Sequence, residues 1–94
     1  MATFFLNGKY TSDAFKDISA SRTEKAVELI EKLSGVIVSM YALLGDKDLV
    51  LIVNFPSTED AMKASIALSK LTGIAFSTSQ AIPVGEFDKL IPEV

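Results

Sequence analysis

The sequence predicts an α+β fold of the ferredoxin-like kind, β-α-β-β-α-β, with a four-stranded antiparallel sheet and helices on one face. Three observations predict it. Leu49-Val50-Leu51-Ile52-Val53 is an unbroken aliphatic run of central-strand character. Gly45-Asp46-Lys47-Asp48 is a polar turn that joins this run to the strand before it, a hairpin of ordinary length. Two amphipathic segments at helical spacing alternate with the strands. Two right-handed crossovers then place the strands in the spatial order 4-1-3-2.

The elements follow in chain order. Thr3 to Tyr10 reads as the first strand, with Phe4, Leu6, Gly8 and Tyr10 on one parity and Thr3, Phe5, Asn7 and Lys9 on the other. Gly8 inside it predicts a bulge or a close backbone approach. Thr11-Ser12-Asp13 supplies capping oxygens for a short turn over Ala14 to Ile18. Ser21-Arg22-Thr23-Glu24 matches a capping box, which predicts a helix from about Arg22 to Leu33. Its inner stripe is Ala26, Ile30 and Leu33, flanked by Val27 and Leu29. Gly35 is the expected left-handed cap.

Val36 to Leu43 reads as the second strand. Strict alternation puts Val36, Val38, Met40 and Ala42 on one face and Ile37, Ser39, Tyr41 and Leu43 on the other. The aliphatic run forms the third strand, closed by Pro56. Ser57 is the expected N-cap of the next helix, with acids near its positive end. Ala61, Ala64, Ile66, Ala67, Leu68 and Leu71 give that helix a broad face of mostly small residues, and Thr72-Gly73 ends it. Ile74 to Ile82 is the fourth strand, polar at Ser77 to Gln80. After Pro83, Phe87, Leu90 and Ile91 predict a short helix within Val84 to Ile91.

The central run is apolar on both parities, whereas a sheet with one wet face shows clean alternation. Both of its faces therefore need cover. The helices supply cover for one; a second copy of the sheet is the simplest cover for the other. That is the plan of a dimeric α+β barrel. If each subunit offers ~500 Å² of apolar face, two faces at ~25 cal/mol/Å² give roughly 25 kcal/mol of gross burial. Association costs of ~4–15 kcal/mol leave a surplus. A homodimer or higher homo-oligomer is the expected state.

Composition narrows the function. The 94 residues make one domain, 1–94, with residues 83–94 as a tail carrying the short helix. Neither cysteine nor histidine occurs, so thiolate chemistry, disulfides and Ser-His-Asp or Cys-His constellations are excluded, as is haem ligation through histidine. Nine basic against twelve acidic residues give a net charge of −3, which disfavours nucleic acid as a partner. No apolar run reaches membrane-helix length, and the first residues lack a signal-peptide pattern. No membrane association and a cytoplasmic location are the expectations. The hydrophobic fraction of 49% again suggests surface that one subunit cannot hide. No metal site and no cofactor are expected: neither GxGxxG nor a P-loop pattern occurs.

The candidate ligand-binding residues are Lys9, Tyr41, Asn7, Arg22 and Asp48. Lys9, Asn7, Tyr41 and Ser39 are polar positions on strands one and two. They line either a cavity between sheet and helices or solvent and the dimer interface. Asp46 and Asp48 share one turn, where acids either hold a hard cation or bond nearby amides. Arg22 either clamps an anion or lies on the wet face of its helix. Ser77 to Gln80 either meets a small ligand or keeps an edge strand polar. Met40 and Met62 read as core fillers.

Met40 to Val50, containing Leu44-Gly45-Asp46-Lys47-Asp48, resembles the signature of the GYD domain family. Gly8-Lys9-Tyr10-Thr11, Arg22-Thr23-Glu24-Lys25-Ala26 and the stretch from Gly73 to Thr78 are similar as well. These are small, mostly bacterial and archaeal proteins of uncharacterised function. Lys47 stands where the family's Tyr usually lies. The resemblance implies the dimeric α+β barrel version of the fold, without established substrate or catalytic residues. Three functions follow: an oligomeric domain holding a small organic or anionic ligand between sheet and helices; a cofactor-independent oxygenase or isomerase, by fold analogy alone; or an assembly protein without a small ligand.

Overall fold

The structure is a computed structural model that describes residues 1–92. The final two residues of the expected tail, Glu93 and Val94, lie outside the described residues. The element order is β1 (Ala2–Lys9), α1 (Ser12–Lys16), α2 (Ala20–Lys32), β2 (Val36–Ala42), β3 (Leu49–Phe55), α3 (Thr58–Thr72), β4 (Ala75–Ala81) and α4 (Val84–Asp88). The sheet runs β2-β3-β1-β4, all neighbours antiparallel, as the crossover rule predicts. The fold is ferredoxin-like.

The core lies between the sheet and α2 and α3. Phe55, Leu6, Ile30, Leu68 and Val53 are fully buried there, each contributing about 1.5–3 kcal/mol by leaving water. Phe4 and Phe55 meet edge to face at 5.9 Å. α3 presents Ala61 and Ala64 at its buried contact, so its backbone sits close to the strands. Ile66 and Leu71, expected on that inner face, are instead exposed, as is Met62. The small residues already fill the narrow contact and leave these larger ones at its rims. Met40 does pack against the core.

Three local expectations are corrected. The N-cap of α2 is Ser19, whose hydroxyl accepts the Arg22 N–H, so the capping box at Ser21 does not form. The left-handed residue after α2 is Ser34, at φ 70°, rather than Gly35. Gly35 donates to the Ile30 carbonyl at 2.9 Å, which makes a Schellman closure. Glycine is needed there for space: an added Cβ would lie 2.6 Å from Ile30 Cγ2 and 2.7 Å from Phe55 Cε1. Third, β2 carries a bulge between Ile37 and Ser39. The extra residue shifts the parity, so Ile37 and Met40 both face the helices. Val36, Ser39 and Tyr41 face the other way, opposite Asn54, Ile52 and Val50 of β3. Gly8 marks a close approach rather than a bulge, because a Cβ would meet Ile74 Cγ2 at 3.0 Å.

Candidate functional site

β1 divides its side chains cleanly. Phe4, Leu6 and Gly8 are buried under the helices, and Thr3, Phe5, Asn7 and Lys9 stand on the helix-free face. Asn7 lies opposite Val50 in the register, and Val50 in turn lies opposite Tyr41. These neighbours shield Val50, whereas Tyr41, Val36 and Phe5 remain exposed. The alternative that placed Lys9, Asn7 and Tyr41 in a cavity between sheet and helices is therefore overturned. A bulge and a two-residue period put them on the opposite side. Asn7 makes only a long exposed contact, Nδ2 to the Ser77 carbonyl at 3.5 Å.

The structure does bring Lys9 and Asp48 together, at the end of β1 beside the β2–β3 turn. Asp48 Oδ2 accepts the Tyr10 backbone N–H at 2.8 Å. Lys9 Nζ lies 4.0 Å from the same oxygen and donates to the Asp46 carbonyl at 2.9 Å. The side chains of Lys9 and Asp48 retain 54% and 30% of their accessibility, so their attraction is largely screened. Of the two turn acids, Asp46 thus contributes its backbone and Asp48 its carboxylate. Among the described residues no cluster of three or more acidic side chains gathers.

Arg22 reaches this corner from α2. Its guanidinium lies 5.8 Å from the centre of the Tyr10 ring. It donates through Nη1 to the Ala14 carbonyl. Tyr10 in turn meets Phe15 edge to face at 6.1 Å. The half-buried arginine thus joins α1, α2 and the end of β1. Sequence reasoning missed Tyr10, Phe15 and Lys16 here. Lys9, Tyr10, Thr11, Phe15, Lys16 and Asp48 border an open cleft of about 450 Å³. The signal that could have found it is the run Lys9-Tyr10-Thr11, at the point where β1 gives way to α1.

A second hollow, about 240 Å³, lies between α3 and β4. Phe4, Met62 and Ile66 line it, with Thr58, Ser65, Thr78 and Gln80 as its polar members. Thr78 Oγ1 donates to Ser65 Oγ at 2.9 Å, which engages the Thr78 hydroxyl hydrogen. Its volume falls below the ~300–1,000 Å³ of ordinary ligand pockets. Among the described residues the only buried polar side chain is Thr72, which donates to the Leu68 carbonyl at 2.7 Å.

A four-stranded antiparallel sheet with two helices packed on one face and the other face open defines an α+β domain of ferredoxin-like type. The GYD domain family matches residues 4–91, nearly the whole chain, and the chain belongs to that family. No curated protein matches it significantly. Among solved structures it is similar to the leucine response regulatory protein LrpA of Mycobacterium tuberculosis. The TM-score is 0.58 and the identity 12%, over 87% of this chain and 51% of that one. It is also similar to an AsnC family transcriptional regulator from Agrobacterium tumefaciens, with TM-score 0.59 and 19% identity, over 87% and 50%. At these identities the likeness is one of fold. The chain spans about half the length of both proteins. Among the described residues no helix is long and apolar enough to cross a membrane.

Proposed function

We propose that this chain works as a homodimerising module, two copies pairing through their helix-free sheet faces. One observation supports this above the rest. Tyr41, Phe5 and Val36 stand exposed around Val50 and half-buried Ile52, on the open side of a sheet whose other side is sealed by the core. A soluble single subunit gains nothing from such a surface, whereas a second copy would remove it from water. The solved structures of like fold are a leucine response regulatory protein and a transcriptional regulator, and regulation is the context in which a paired domain of this kind would act here. Sedimentation of the purified chain at micromolar concentration tests the pairing. The expected result is a dimer for the natural chain and a folded monomer for Ile52→Lys. A natural chain that sediments as a monomer overturns the proposal.

The Lys9 cleft favours a second role for the same module, as a receptor for a small organic anion. Lys9 and Lys16 border the cleft, and Tyr10 and Phe15 give it an aromatic wall. Lys16, with Lys9 partly engaged by Asp48 and the Asp46 carbonyl, sits beside aromatic faces and suits a carboxylate or phosphate carried on an apolar body. This places the ligand at the end of the sheet and not between sheet and helices.

A further inference from the structure

The last described segment, Ile82 to Ile91, leaves the sheet with its apolar residues uncovered. Val84, Phe87, Leu90 and Ile91 are all more than half exposed, and no residue of α4 is buried. The segment is nevertheless regularly bonded. Phe87 N–H donates to the Pro83 carbonyl at 3.0 Å and Leu90 N–H to the Phe87 carbonyl at 2.9 Å. A helix this short does not persist in water on its own local bonds, so it calls for a surface to pack on. Its apolar residues recur at helical spacing, three and four apart, as a docking face requires.

The arm departs on the helix-free side. Thr3, Phe5 and Ala81 share a hollow with Ile82 and Pro83, and the first three stand on the open face in the register. A second unmatched surface lies at the far edge of the same sheet. There, β2 exposes Val36, Val38 and Tyr41, each more than half accessible, on an edge strand paired only with β3. Such an edge is a hazard unless something covers it. The arm cannot readily cover it within one subunit. β4 and β2 are three strand spacings apart, ~14 Å, whereas Pro83 to Leu90 as helix spans only ~10 Å.

Between two copies the match is direct. The open face of β4 carries only Ala75, Ser77, Ser79 and Ala81, whereas that of β2 carries Val36 and Tyr41. Large residues pack best on small ones, so β4 of one copy belongs over β2 of the other. That arrangement points each arm at the partner's β2 edge. Area argues the same way. Four strands at ~4.8 Å and seven residues at ~3.4 Å make a face of about 450 Å², or ~900 Å² for two copies. Stable dimers bury ≈ 1,200–2,000 Å² of accessible surface, and the two arms would add apolar area beyond this flat footprint.

We infer that residues 82–91 form an exchange arm, which packs Phe87 and Leu90 on the Val36–Val38–Tyr41 edge of a second copy. This rests on the sheet-face dimer proposed above and adds to it a part that the lone subunit leaves unused. The sequence holds no cysteine, so introduced thiols report without interference. Chains carrying Val38→Cys are mixed with chains carrying Leu90→Cys, exchanged, and oxidised mildly. The expected result is a disulfide-linked heterodimer in about tenfold higher yield than from a control pair of Lys25→Cys with Leu90→Cys, through the effective concentration of a docked arm. A natural dimer whose Val38–Leu90 pair links no better than the control overturns the arm and leaves the sheet-face dimer standing. In a single chain carrying both Val38→Cys and Leu90→Cys, a disulfide closed within that chain also overturns it. A natural chain that sediments as a monomer removes both.

Discussion

The Asp48 carboxylate accepts the backbone N–H of Tyr10 at 2.8 Å, at the point where the β1–β3 ladder stops. The ladder pairs Gly8 with Leu49, and Asp48 N–H then donates to the Gly8 carbonyl at 2.9 Å. Beyond it β1 turns away toward α1, and the side chain supplies the acceptor that backbone no longer offers. The aspartate of the turn is a clamp on the end of the central strand. Asp48→Ala should lower stability by about 1.5–3 kcal/mol, the usual worth of a hydrogen bond to a charged group. Asp48→Asn should lose less, since its amide oxygen still accepts. Lys9→Ala should cost under ~0.5 kcal/mol, because its ion pair is exposed. Urea unfolding of the three variants separates these outcomes.

The end of α2 holds two neighbouring residues with opposite needs. Ser34 sits in left-handed backbone that glycine adopts without strain. Ser34→Gly should raise stability by roughly 0.5–1 kcal/mol. Gly35→Ala should lower it by about 1–3 kcal/mol, since the added methyl meets two buried side chains and the core must open to admit it. Thermal unfolding of both variants, followed by circular dichroism, should shift the midpoint in opposite directions.

Arg22 ties α1 to α2 through the Ala14 carbonyl and the Tyr10 ring. Without it α1, only five residues long, keeps its Thr11 cap, the buried Ala14 and the Phe15–Tyr10 contact. Arg22→Ala should therefore speed hydrogen exchange at Phe15 and nearby amides while leaving β1 and β3 protected. Arg22→Lys keeps the charge but not the planar fork, and should restore only part of the protection. Equal protection in all three proteins would count against the positioning role.

If a small organic anion binds the Lys9 cleft, its affinity should fall with salt, because the lysines are exposed. Lys9→Ala and Lys16→Ala should each weaken it about three- to tenfold, and Asn7→Ala and Tyr41→Phe should leave it unchanged. Titration of aromatic carboxylates and organic phosphates, followed by amide chemical shifts at Tyr10, Thr11 and Lys16, measures this. Shifts at Tyr41 instead would move the site to the open sheet face.

Much of the chain was legible before its structure. The aliphatic run Leu49 to Val53 marked a central strand because burial on both faces leaves no polar parity. Ser57 was legible as a cap because its hydroxyl meets an amide three residues on, a purely local contact. The misplaced features all depend on something non-local. Ser19 caps α2 in place of Ser21, and the helix that starts there carries Arg22 to Tyr10 and Ala14. The β2 bulge escaped notice because no proline or glycine marks it, and it moved Met40 to the core and Tyr41 to the open face. Of the candidate residues, Lys9 and Asp48 proved to be neighbours, Arg22 reaches the same corner through Tyr10, and Asn7 and Tyr41 stand on the open sheet face.

The amino-acid sequence by itself determined the element order, the strand order and the apolar character of β3 on both parities. Those follow from periodicity, turn chemistry and the handedness of crossovers, each set within a few residues. Only the tertiary structure decided which side chains share the Lys9 corner, which β2 residues face outward, and where the arm departs. Each of these depends on register between strands distant in sequence, where a one-residue slip reverses every side chain.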